Sequence, residues 1–204
     1  MDLDWNKLKG YQPESREVFR LADPQHLAFA GFTGLHLDNW YRSHRFCGRC
    51  GAENVRDGKE RMLRCPECGN MEFPKICPAA IIAVKDGNRL LLSKYNGRTY
   101  KRYALLAGYT EIGETIEETV RREVMEEVGL KVKNIRYYKS QPWGLTETLL
   151  LGFYCDLDGS DQIRLDREEL ALAEWFEREE IPVEPMRDSL TNEMIMKFKL
   201  GEIY

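Results

Sequence analysis

The chain has 204 residues, 43% hydrophobic and 31% charged, an ordinary balance for a globular protein with one sizeable core and a small accessory module. A net charge of −4 argues against a protein whose main task is gripping duplex nucleic acid. No apolar run approaches the roughly 20 residues of a membrane helix, and the acidic start MDLDWNKLKG lacks a secretory layout, so a cytoplasmic protein without a membrane partner is expected.

Three textures follow one another along the chain. Residues 1–45 form a short N-terminal segment with weak helical patterns. It holds a glycine-containing turn at 30–34 (AGFTG) and a helix over 34–43. Residues 46–73 are poor in aliphatics and rich in Cys, Gly and charge. Arg42, His44, Arg45, Arg49, Arg56, Lys59, Arg61 and Arg64 bias this region to positive charge, read first as a solvated rim. Residues 76–204 carry the pattern of a mixed α/β domain.

Within that domain the apolar run 79–85 predicts a buried strand, Asp86-Gly87-Asn88 a hairpin turn, and 89–93 the partner strand. A further strand is expected at 103–107. Ile116, Val120, Val124 and Val128 recur at steps of four, which predicts an amphipathic helix over 115–128 stopped by Gly129. Strands are expected at 132–139, 146–157 and 170–176, and a closing helix at 189–200 with Ser189 as its cap.

Cys47, Cys50, Cys65 and Cys68 form a C-x2-C-x14-C-x2-C pattern, with a glycine after each second Cys. Four thiolates at this spacing predict a closed, structural Zn²⁺ site, since reducing surroundings disfavour disulfides. Cys77 and Cys155 are expected to be packing thiols.

Glu123, Glu126 and Glu127 stand at i, i+3 and i+4 of the predicted helix, so their side chains project to one side. Like charges at that spacing destabilise an isolated helix. A hard divalent cation held by carboxylate oxygens is the natural counter-charge. Gly108, Glu114, Arg122-Glu123-Val124, Glu126-Glu127 and Gly129-Leu130 together match the fixed positions of the Nudix box. On these residues the chain resembles the Nudix hydrolases. The resemblance implies an α/β/α sandwich with a mixed sheet, preceded here by a small zinc ribbon. It also implies hydrolysis of a nucleoside diphosphate linked to another group, with Mg²⁺ or Mn²⁺. It makes Glu123 and Glu127 metal ligands, Glu126 a third ligand or the base, and the backbone at Ala107–Gly108 a further ligand. Arg122 orients the carboxylates, and Glu114 ties the loop to the helix.

A second resemblance rests on the four-Cys ribbon ahead of the box, on Phe73-Pro74-Lys75 and on Ser140-Gln141-Pro142-Trp143. It is to the bacterial NADH pyrophosphatases, over about residues 40 to 200. It implies cleavage of NAD(H) to nicotinamide mononucleotide and AMP by a homodimer, with removal of NAD caps from RNA in some members. Phe73, Tyr109, Gln141, Pro142 and Trp143 then contact the dinucleotide. Glu169, with Glu168 as the neighbouring alternative, is a late metal-binding or basic residue. Two departures stand out. Residues 144–148 read GLTET where the family has PFPxS, and 46 residues precede the first Cys where the family has a larger domain. They leave ADP-ribose, FAD, ADP-sugars and oxidised nucleotides as alternative substrates, while the basic residues of 42–64 support a nucleic-acid-binding role as the rival class, with a non-catalytic nucleotide sensor as a third.

Overall fold

The computed structural model describes residues 24–97, 101–186 and 189–203. The expectation of weak helical segments over residues 1–23 lies outside the described residues. The chain divides into two compact units, one reaching to Lys75 and including Gly144–Thr146, the other holding Ile76–Trp143 and Glu147 onward.

Among the described residues the first unit begins with helix α1, Gln25–Ser43. The helix runs straight through the segment read as a glycine turn, which corrects that expectation. Each glycine costs a helix about 1 kcal/mol relative to alanine, a penalty that packing can override. Here Gly144 presses on the middle of the helix: a Cβ at Gly144 would stand 2.5 Å from the Phe32 carbonyl oxygen. Trp40 is fully buried and anchors the C-terminal end. Beyond it lies a three-stranded antiparallel ribbon of β1 (Val55–Arg56), β2 (Leu63–Arg64) and β3 (Met71–Glu72). Leu63 and Met62 form its small core with the thiols of Cys47 and Cys65. So small a core cannot hold a module of this size by itself.

The second unit is a six-stranded mixed sheet with a helix on each face. Its strands are β4 (Cys77–Asp86), β5 (Arg89–Tyr95), β6 (Leu106–Tyr109), β7 (Val132–Trp143), β8 (Thr148–Leu157) and β9 (Leu170–Glu177). The order is β7-β8-β4-β5-β9, with β6 also paired to β4. Strand β4 is central: β8 runs parallel to it, β5 and β6 antiparallel. The β4–β5 hairpin closes on Gly87-Asn88, and Gly87 takes a φ of 58° that glycine adopts without strain. Alternation along β4 assigns the two faces. Ala80, Ile82 and Val84 pack under α2 (Ile116–Val128), whereas Ile81 and Ala83 pack under α3 (Leu190–Lys199). This is the expected α/β/α sandwich.

Two strands differ from expectation. The strand placed at 103–107 is Leu106–Tyr109, because β4 pairs with those four residues, while Ala104 bridges Ser93 on β5 instead. The strand placed at 132–139 continues to Trp143, so Gln141-Pro142-Trp143 is strand and not loop. Pro142 is tolerated because β7 is an edge strand, where a missing N–H can face the open side. Cys155 is a buried packing thiol as expected, its proton affinity pushed up to about 12 by burial, and Cys77 is half-buried.

Candidate functional site

Two centres stand out, one in each unit. In the ribbon, two knuckles repeat one hydrogen-bond pattern. Cys47 N–H donates to Ala52 O and Gly51 N–H to Cys47 O; Cys65 N–H donates to Asn70 O and Gly69 N–H to Cys65 O. Gly51 and Gly69 sit at φ of 79° and 71°, where a side chain would be strained. The turns bring the four sulfurs within 4.8 Å of one another. The Arg49 amide donates to the Cys47 sulfur at 3.4 Å, and such backbone donors lower that thiol to about 6. The donor set, four soft sulfurs closed on themselves, fits Zn²⁺ in a structural role.

The second centre is built on α2. Thr115 and Glu118 form a reciprocal capping box, and Gly129 ends the helix in the left-handed region. Beside the apolar row of Val120, Val124 and Val128 runs a second buried row, Thr119, Glu123 and Glu127. Glu123 is 8% exposed and Glu127 1%, whereas Glu126 is exposed at the rim. Strand β6 lies beneath Glu123. A Cβ on Gly108 would land on the Glu123 carboxylate, so only glycine leaves room for that group.

Arg122 organises the surroundings. Its Nε and Nη2 grip Glu114 at 2.6 and 3.0 Å, and Nη1 donates to Glu123 at 2.7 Å and Glu126 at 2.9 Å. Its Nη2 also donates to the Tyr109 carbonyl at 2.9 Å. Glu114 further accepts from the Glu111 amide and the Thr119 hydroxyl. The Arg122 guanidinium thus holds the Glu114 carboxyl down to about 2. Glu123 goes the other way. Burial raises its proton affinity against the pull of Arg122, and the Glu126 and Glu169 charges add to the rise. Buried oxygen donors carrying excess negative charge fit a hard divalent cation. The α2 carboxylates are less tightly gathered than the four sulfurs, with Arg122 bonded to two of them.

Glu169 reaches this neighbourhood through a docked loop. Arg164 N–H donates to Val128 O at 2.8 Å and Asp166 N–H to Glu127 O at 2.9 Å, which fastens the loop to the C-terminal end of α2. Asn96 then holds the Glu169 carbonyl through its amide N–H, at 2.8 Å, and the Arg167 carbonyl through its side chain, at 2.9 Å. Glu168 and Glu169 are both exposed. Asn96, Thr119 and Asp166 escaped the sequence reading, because each acts through hydrogen bonds to backbone or to side chains that no motif pairs it with.

The residues expected to contact a dinucleotide divide. Ala107, opposite Ile81, packs on the α3 side of the sheet, and Tyr109, two residues on, shares that face. Tyr109 is 52% exposed and its hydroxyl meets Thr148 Oγ1 at 3.2 Å. Thr148 stands directly opposite Trp143, and Gln141 is two residues back, so Tyr109, Gln141 and Trp143 share one face and one end of the sheet. Pro142 faces the other way. Gly108 faces α2, so β6 presents one side to the acidic centre and the other to these aromatics. Phe73 belongs to the first unit and is 56% exposed.

Comparison with known proteins adds to this geometry. Residues 75–198 match the model of the NUDIX domain, and residues 42–73 that of the NADH pyrophosphatase zinc ribbon domain. A protein of Pectobacterium atrosepticum named NAD-capped RNA hydrolase NudC is 39% identical over 193 residues, covering 94% of this chain and 74% of that protein. One of the same name from Mannheimia succiniciproducens is 37% identical, covering 89% of this chain and 72% of that protein. Among solved structures, a NUDIX hydrolase from Nitrosomonas europaea superposes with a TM-score of 0.65 at 21% identity. It covers 78% of this chain and 92% of its own, a likeness of fold.

Proposed function

This chain belongs to the Nudix hydrolases, and from that premise we propose that it hydrolyses the pyrophosphate of NAD(H), releasing nicotinamide mononucleotide and AMP. The observation that carries the reaction class is the buried Glu123–Glu127 row pressed against Gly108 and braced by Arg122. The NADH pyrophosphatase type of the ribbon and the names of the relatives support the choice of dinucleotide. The same names favour a second reading, in which the NAD lies at the 5′ end of an RNA and the bond cleaved is the same one.

In this reading Glu123, Glu126, Glu127, Glu169 and the Ala107 carbonyl hold Mg²⁺ or Mn²⁺. When bound, the ion neutralises phosphate charge and lowers the pKa of a water. The chain's own groups do the rest. One of Glu123, Glu126, Glu127 or Glu169 takes the proton of the attacking water as a P–O bond of the anhydride breaks. Arg122 keeps Glu123 and Glu126 in place through its hold on Glu114. Tyr109 and Trp143 offer rings to purine or nicotinamide, with Gln141 for polar contacts and Pro142 stiffening the strand. Each stacked base contributes about 1–3 kcal/mol. Phe73 is a further ring proposed for stacking. A homodimer working in the cytoplasm completes the proposal. Among the described residues no helix is long and apolar enough to cross a membrane.

Product analysis decides between substrates. NADH, ADP-ribose, FAD, free nucleoside triphosphates and an NAD-capped oligoribonucleotide are incubated with Mg²⁺ or Mn²⁺, and products are separated by chromatography. AMP and nicotinamide mononucleotide from NADH are the expected result. Rapid turnover of free nucleoside triphosphates with none of NADH overturns it. A separate experiment addresses the ribbon. Cys65→Ser is expected to lower bound zinc from one per chain to none. It should also open residues 46–73 to proteases, because binding of a structural zinc contributes on the order of 10 kcal/mol to folding. A protease-resistant, zinc-free variant contradicts the structural role.

A further inference from the structure

The second unit contains a cavity of about 420 Å³ separate from the acidic centre on α2. One wall is made by Lys94 at the end of β5 and by Lys101, Arg102 and Tyr103, which lead into β6. The other wall comes from Val183, Glu184 and Met186 and from the first turn of α3. Among the described residues that line the cavity, Lys94, Lys101 and Arg102 thus stand against one carboxylate, that of Glu184. Among the described residues neither Lys101 nor Arg102 meets a carboxylate. The Arg102 Nη1 finds only the Met186 sulfur, at 3.1 Å, a weak acceptor. The Lys94 ammonium lies 4.0 Å from the centre of the Tyr103 ring, while the Tyr103 hydroxyl donates to Glu174. The opposite wall is tied to α3 through Asn192. The buried Asn192 accepts from the Met186 amide at 2.6 Å and donates to the Glu184 carbonyl at 2.8 Å. The positive end of the α3 dipole adds to the same field, with Thr191 lining the cavity.

A concave space of this volume is of ligand size. Its excess of positive charge favours an anion with several oxygens. Tyr103 packs on the same face of the sheet as Ala107, the face that carries Tyr109. We propose that this cavity binds a phosphate ester of the substrate lying outside the scissile pyrophosphate. The proposal rests on the reading of the acidic centre as the place of cleavage, and it makes the cavity a determinant of which dinucleotides are accepted. Two sources carry this chemistry, a second ribose phosphate on a small dinucleotide and the first phosphodiester of a capped chain.

Binding without turnover tests it. The full chain is titrated with inorganic phosphate in buffer without added divalent metal, and amide shifts are followed by NMR. Shifts at Lys101, Tyr103 and Thr191 are expected. Affinity should fall at least tenfold in Lys101→Ser/Arg102→Ser, about 1.4 kcal/mol. Lys94→Met, a second variant, should weaken it independently. Competition then identifies the source. Displacement by NADPH but not NADH points to a ribose phosphate, and displacement by an oligoribonucleotide but not NADPH points to a phosphodiester. Phosphate affinity unchanged in both variants, or displacement by neither competitor, overturns the proposal. Failure to hydrolyse NADH overturns the functional reading instead and leaves this titration readable.

Discussion

Glu127→Gln is expected to lower kcat on NADH by about 10²–10⁴-fold, the range over which a positioned proton-transfer group acts. The Glu127 side chain is almost wholly buried in the row it shares with Glu123, so no solvent-exposed carboxylate can slide into its place. The substitution keeps the shape and removes the charge. Its backbone carbonyl still accepts from Asp166, so the docked loop should stay where it is. The thermal midpoint should therefore hold or rise, because a buried charge has been neutralised. The dependence of rate on Mg²⁺ or Mn²⁺ should move to higher concentrations. Glu126→Gln is the comparison. That side chain is exposed and, among the described residues, is held by Arg122, and a smaller loss is expected. A Glu127→Gln protein that turns over at the native rate removes Glu127 from the chemistry.

Gly108→Ala is expected to cost at least about 100-fold in kcat, through a collision and not through backbone strain. Gly108 of β6 pairs with Ala80 of β4 and lacks the positive φ that would exclude other residues. The added methyl would occupy the space of the Glu123 carboxylate, which Arg122 holds from its other side at 2.7 Å. Something must shift, and a displacement of about 1 Å in a catalytic group is worth roughly 100-fold in rate. Overpacking of this kind also lowers stability by about 1–3 kcal/mol, measurable by denaturant titration. Gly129→Ala separates the two effects. That glycine sits at φ 69° against Arg164, away from the carboxylate, and its replacement should reduce stability more than chemistry. Native activity in Gly108→Ala means that the Glu123 carboxylate can be placed elsewhere without loss.

Much of the acidic centre was legible because it is local. The row of Ile116 and three valines and the stop at Gly129 announce the helix, and the i, i+3, i+4 carboxylates follow from its pitch. The two knuckles are equally local, each turn closing within six residues. The glycines of α1 misled because propensity is a weak guide when another backbone packs against the helix, as Gly144 does at Phe32. Strand β6 starts three residues and ends two residues later than expected because its register belongs to β4, and nothing within 103–109 states which residues β4 will choose.

The sequence by itself determined the reaction class and the ribbon, since both depend on side chains within one turn, one helix or one hairpin of each other. Tertiary structure alone decided which of the three glutamates is exposed, that Gly108 lies under Glu123, and that loop 164–169 is fastened to the end of α2. It also decided that Tyr109, Gln141 and Trp143 share one face, and that Lys94, Lys101 and Arg102 meet α3 around a cavity. The physical reason is the same in each case. Periodicity and capping act over a few residues, whereas burial and register come from the order in which strands lie in a sheet. Residues far apart in the chain meet only after that order is set.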